Sequence, residues 1–190
     1  MKNMRLILPM VFSMTLLLAC GKETESGNKI QGLNLSGSWR WIGVECWDSS
    51  FTTRTAVATV GAGSYSSTTT INGNTATAQA ISSSGCTVNY SQSFVATLTS
   101  GDSTGGVGNI STGSTTASTS NGGSCSLSAT LNVTSGSITP TTINTAYTQG
   151  QSVPGQTYEF VYNPPILAIP STLQVPSSPT DICLLIYQKL

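Results

Sequence analysis

From Cys125 to Thr134 the odd positions hold Cys125, Leu127, Ala129, Leu131 and Val133, and the even ones Ser126, Ser128, Thr130, Asn132 and Thr134. A repeat of two residues sends alternate side chains to opposite faces of an extended strand, so one face here is built for burial and the other for water. The same pattern runs through 86–98, where Cys86, Val88, Tyr90, Phe94, Ala96 and Leu98 share the even positions. Runs rich in Thr, Val, Ile and Tyr at 37–47, 53–60, 64–71, 74–81, 142–149, 156–163 and 182–189 predict further strands. Helical periodicity is missing after residue 20, and the expected fold class is all-β and antiparallel. Asn72-Gly73, between two of these runs, predicts a hairpin with a type I′ turn. Two segments are expected outside the sheet. Residues 100–124 are mostly Gly, Ser and Thr and read as a mobile loop or a weak edge hairpin. Residues 164–179 carry Pro164, Pro165, Pro170, Pro176 and Pro179 and read as an extended surface connection.

The chain has 29 Ser and 29 Thr but only 14 charged residues, and Asp102 is the single charge between Arg54 and Glu159. Sheet edges are usually protected by charge, so its scarcity favours an architecture with few free edges: an up-and-down barrel, with a β-sandwich as second choice. Net charge is zero, leaving no basic surface to neutralise several phosphates and no expected nucleic-acid partner. Histidine is absent, which removes Ser-His-Asp triads, Cys-His dyads and His-ligated zinc. No cofactor or metal site is expected. Gly101-Asp102-Ser103-Thr104-Gly105 spells a nucleophile elbow without the histidine that an elbow needs, Ser26-Gly27-Asn28-Lys29 offers only an exposed Lys as base, and Gly105-Gly106-Val107-Gly108 lacks the Lys-Ser/Thr of a phosphate loop. Glu45 and Asp48 could be imagined as a carboxylate pair, but solvated charges at a strand end are the simpler reading. The expectation is a protein that is not an enzyme.

Lys2 and Arg5 precede an apolar run from Leu6 to Ala19, too short to span a bilayer and typical of a secretory signal. Leu17-Leu18-Ala19-Cys20 resembles the lipobox of bacterial lipoproteins. The resemblance implies that 1–19 is a signal peptide and that Cys20 becomes the acylated N-terminus, carrying palmitate-like chains. Each buried methylene adds about 0.8 kcal/mol, so several chains hold the protein on a membrane durably. Gly21, where inner-membrane lipoproteins commonly have Asp, implies the outer membrane. Residues 20–35 then form a flexible tether reaching roughly 20 Å, and 36–190 a single β domain in the cell envelope.

Cys46, Cys86, Cys125 and Cys183 remain, an even number in an oxidising compartment, and two disulfides are expected. Gly37-Ser38-Trp39 in the first strand resembles the opening motif of lipocalins and other calycin barrels, and also a set of bacterial lipoproteins with a Cys later in that strand and another after the third. The resemblance implies a lipocalin-like barrel. Strand direction bears on the pairing. If 53–60 extends the same descending strand as 64–71, Cys46 and Cys86 share an end and Cys125 is left for Cys183, which is the preferred arrangement. If 53–60 is a separate strand, Cys46 meets Cys183 through closure of the first strand on the last.

Trp39, Trp41 and Trp47 fall on one parity of the first strand with Gly43 and Glu45 between them. Facing inward, Trp39, Trp41, Glu45 and Trp47 could line an apolar ligand cavity; facing outward, the rings could stack on a glycan or pack on an envelope protein. Ordinary core is the plain alternative for Trp39 and Trp41, and a β-bulge near Gly43 would break the common face. The expected function is a membrane-anchored, non-enzymatic lipoprotein that binds a small hydrophobic ligand, or else a structural or adhesive surface lipoprotein with a filled core.

Overall fold

A computed structural model describes residues 35–102 and 104–190. Its strands are β1 (Gly37–Trp47), β2 (Arg54–Val60), β3 (Ser66–Asn72), β4 (Thr75–Ile81), β5 (Thr87–Asp102), β6 (Gly105–Thr112), β7 (Thr115–Thr116), β8 (Ser118–Thr119), β9 (Ser124–Ser135), β10 (Thr142–Thr148), β11 (Ser152–Val153), β12 (Thr157–Asn163), β13 (Ile166–Pro170) and β14 (Ile182–Lys189). Eight of them, in the order β1-β14-β13-β12-β6-β5-β4-β3 and back to β1, close an antiparallel barrel. Barrel neighbours are also neighbours in the chain, apart from the inserted β2 and the β7–β11 stretch, so the expected up-and-down barrel is the fold. Closure leaves little edge for charge to protect, which suits so neutral a sequence. The strands, both disulfides and the apolar clusters described below all lie within 35–190, so this part has what it needs to fold alone.

Closure depends on β1 serving two partners along one edge. Gly37–Arg40 pairs with β3, and Gly43–Trp47 with β2. Between them the register against β14 slips at Trp41/Gly43, a bulge that bends the strand. Gly43 is needed there, because a Cβ would lie 2.3 Å from the carbonyl oxygen of Ala58. Trp41 Nε1 donates to the Gly43 carbonyl at 2.7 Å and pins the bend. Past it, β2, β9 and β10 extend as a sheet away from the barrel seam, with polar β10 outermost.

Side chains fill the barrel. Trp39, Phe94, Leu98, Ile110, Phe160 and Leu167 form one buried cluster, as expected when the interior of eight strands is just wide enough for side chains. A second cluster joins Trp41, Val44 and Cys46 to Ala58, Leu131 and Cys183. On β9 the alternation holds as read, with Cys125, Leu127, Ala129 and Leu131 buried.

Four expectations are corrected. The 100–124 segment is not a loop: β6 is an interior barrel strand hydrogen-bonded to β5 and β12. Its glycines misled because they are there for packing. A Cβ on Gly108 would lie 2.2 Å from the Thr97 carbonyl and 2.8 Å from the Phe160 ring, so the neighbour's aromatic ring occupies the volume that β6 lacks. The proline-rich segment contains β13, paired on both sides; Pro164 and Pro165 precede it and Pro170 ends it, so the prolines bound the strand without interrupting its ladder. At the Asn72 hairpin, Asn72 pairs with Thr75, and the positive φ falls on Gly73 alone (57°), the pattern of a type II′ turn with Gly first and not of type I′. The preferred disulfide pairing is also overturned. Cys46 bonds Cys183 and Cys86 bonds Cys125. The assumed strand directions hold, since β2 and β3 both run antiparallel to β1 along one edge; what decides the bridge is that β14 closes on the other edge of β1 and sets Cys183 directly opposite Cys46.

Candidate functional site

Ile182-Cys183-Leu184-Leu185-Ile186-Tyr187 is apolar without a break. A strand with one wet face alternates; a continuous apolar run is covered on both faces. In β14, Cys183 belongs to the core, while Leu184 and Ile186 point the other way and are also buried. The outer wall of the barrel therefore carries an apolar surface of its own. Its register is explicit: Val107 on β6 pairs with Val161 on β12, Val161 with Ala168 on β13, and Ala168 with Ile186 on β14.

Phe51 packs onto this wall from the β1–β2 loop. Its φ is +54°, a left-handed conformation that costs a non-glycine residue about 1–3 kcal/mol and persists only where the surroundings enforce it. Here Asp48 enforces it. The Asp48 carbonyl accepts from Phe51 N–H at 2.9 Å, and its carboxylate accepts from Thr52 N–H (2.7 Å), Thr52 Oγ1 (2.6 Å), Ser50 Oγ (3.0 Å) and Thr53 N–H (3.1 Å). Those donors, the Thr52 hydroxyl first, lower the carboxyl from 3.8 to about 2. A depressed folded value means that the loop is held fully above the ordinary carboxylate range and released as pH falls through about 2. The expected result is an Asp48 titration midpoint near 2 by NMR, with Phe51 ring signals shifting over the same pH interval; a midpoint near the ordinary value would contradict the network.

Between the Phe51 loop, the ends of β5, β6, β12, β13 and β14, and the 171–174 and 179–182 stretches lies a cavity of about 630 Å³. Phe51, Val107, Val161, Ala168, Leu173 and Leu184 give it apolar walls. Among the described residues, the charged ones that line it are Glu159 and Asp181. Asp181 Oδ1 accepts from Ser178 Oγ, whereas Oδ2 is buried with no hydrogen-bond partner.

The four residues predicted as a ligand set are dispersed, and none lines this cavity. Trp39 lies in the barrel core, where its Nε1 donates to the Leu35 carbonyl at 2.9 Å. Trp41 lies in the second cluster, its ring centroid 5.9 Å from that of Tyr65. Trp47 sits half-buried on the outer wall beside Phe51, Leu184 and Ile186. Glu45 forms an ion pair with Arg54 at 2.9 Å and does not converge with Asp48. The Gly43 bulge, which falls after Trp41, puts Glu45 and Trp47 on the other face from Trp39 and Trp41. Around the second cluster, burial pushes the phenols of Tyr65 and Tyr187 up. Cys20, the apolar signal and the tether up to residue 34 lie outside the described residues, as does Ser103 of the elbow-like spelling. The unbroken apolar run of β14 was the available sign of a covered outer wall, and it went unread. No family model, curated protein or solved structure matches the chain.

Proposed function

We infer that the chain is a non-enzymatic lipoprotein of the bacterial cell envelope, held on the membrane, by preference the outer membrane, through acylated Cys20. On this reading its β domain binds a small hydrophobic ligand. The observation that carries the ligand half is the wall cavity: its volume falls within the roughly 300–1,000 Å³ common for small-molecule sites, with apolar walls and a few polar groups. The anchor half is carried by the Leu17–Cys20 resemblance. Binding is assigned to the wall because Trp39 and Phe160, each 1% exposed, occupy the barrel interior where a calyx would be.

That same filled interior favours a second reading, a structural or adhesive lipoprotein that meets protein or glycan partners. An apolar fluorescent probe separates the two. Titrated into the oxidised chain from Gly21 onward, the probe is expected to bind saturably at roughly micromolar concentration, and Ala168→Trp, which fills the cavity, to abolish binding. Failure of any saturable binding leaves the structural reading, with crosslinking on cells then expected to recover a partner.

A further inference from the structure

We propose that the wall cavity selects a protonated amine on an apolar body, with Asp181 as the residue that receives the ammonium group. This rests on the cavity being a ligand site and adds the ligand's chemical class.

The argument begins with charge. The described residues include three cations, Arg40, Arg54 and Lys189. Arg54 is paired with Glu45, Lys189 lies over the Trp39 ring with Nζ 5.7 Å from its centroid, and none of the three lines the cavity. Two carboxylates do, Glu159 and Asp181. A fatty acid or phosphate head would therefore meet two like charges and, among the described residues, no counter-ion, in walls that screen poorly. A neutral alcohol would be tolerated. A cation would be attracted.

Hydrogen bonding then singles out one of the two carboxylates. Glu159 is exposed, so its carboxylate is open to solvent. Asp181 has one oxygen satisfied by Ser178 and one, Oδ2, left without a partner. A buried acceptor with no donor is costly, and native structures leave few of them. An ammonium group offers three donors and no acceptor, the complement of this vacancy. Asp181 lines the cavity and is only partly buried as a residue, and the terminal torsion of aspartate is broad, so amine binding requires that this torsion turn Oδ2 toward the ammonium group. The apolar tail then lies against Val161, Ala168 and Leu184.

The test is displacement of the apolar probe by decylammonium, decanol and decanoate, which share a tail and differ in the head. Decylammonium is expected to displace at about tenfold lower concentration than decanol, the factor expected when an ionic hydrogen bond replaces a neutral one, and decanoate to be the weakest. Asp181→Asn, with Asp181→Ala as a second variant and circular dichroism as a check on folding, is expected to bring the amine-to-alcohol ratio to about one while leaving decanol unchanged. Glu159→Gln is expected to change the ratio by no more than about twofold and only at low salt. An unchanged ratio in both Asp181 variants, or decanoate matching decylammonium, overturns the amine proposal while the cavity stands. Failure of all three compounds and of the probe to bind overturns the cavity reading and the proposal with it.

Discussion

Replacing Cys46 and Cys183 together by alanine is expected to lower stability by about 5 kcal/mol, and replacing Cys86 and Cys125 by about 4 kcal/mol. The difference comes from what each bridge restrains in the unfolded chain. Cys46–Cys183 spans 137 residues and Cys86–Cys125 spans 39, and the entropy removed from the unfolded chain grows with the logarithm of the loop. The longer bridge also sits on the seam of the barrel. β1 and β14 are its first and last strands, and their pairing brings together residues more than a hundred positions apart, the slowest kind of contact to form. Both sulfurs belong to side chains no more than 1% exposed, so the alanine pair loses packing as well. Thermal unfolding should register this as a fall of roughly 10–20 °C, at about 2–4 °C per kcal/mol for a domain of this size. If the Cys86/Cys125 variant proves the less stable of the two, the seam is not where the barrel depends on its crosslink.

That pairing also shows where sequence reading ran short. Alternation in two segments and β-favouring residue types in seven others locate every long strand except β6 and β13, because both signals are local. Connectivity is not local. The pairing of Cys46 turns on which strand meets the other edge of β1, and no local pattern in 37–47 or 182–189 says that β14, with Cys183 a further 137 residues along, is that strand. β6 is hidden for a different reason: a run of Gly, Ser and Thr has the composition of a flexible loop whether or not it is packed in a sheet. Gly106 and Gly108 are glycines because a Cβ at either would lie 2.2 Å from a β5 carbonyl oxygen, of Ser100 or Thr97, with the Leu98 and Phe160 side chains also close, a fact that resides in the neighbouring strands.

The candidate site was less legible still. The three tryptophans share a face on paper; Trp39 and Trp41, both before the Gly43 bulge, stay buried in two neighbouring clusters, and Trp47 beyond it lies on the outer wall. The cavity is assembled from a loop residue with positive φ, five adjacent barrel strands and the connection between β13 and β14. Only β14, apolar for six residues running, announced in the sequence that the outer wall needed a cover.

Trp39→Ala should cost about 3–5 kcal/mol, the range for removing a large aromatic side chain from a packed interior. The indole touches the cluster of Leu35, Ile71, Phe94, Phe160 and Leu167, and its ring lies edge-on to Tyr162 at 6.0 Å and 70°. Trp39→Phe isolates one part of that loss. Phenylalanine keeps most of the apolar contact and the edge-on partner but has no N–H, so the Leu35 carbonyl loses its donor, at a cost of about 1–3 kcal/mol. Trp47→Ala, on the half-buried outer wall, should cost less than either core truncation, because its surroundings can relax toward solvent. Urea unfolding of the three variants gives this order directly, and the same proteins address where the ligand goes. With the wall cavity as the site, Trp39→Phe leaves probe affinity unchanged while Trp47→Ala, beside Phe51, weakens it; a probe that instead follows the Trp39 variants would move the site into the barrel, into space that Trp39 and Phe160 now occupy.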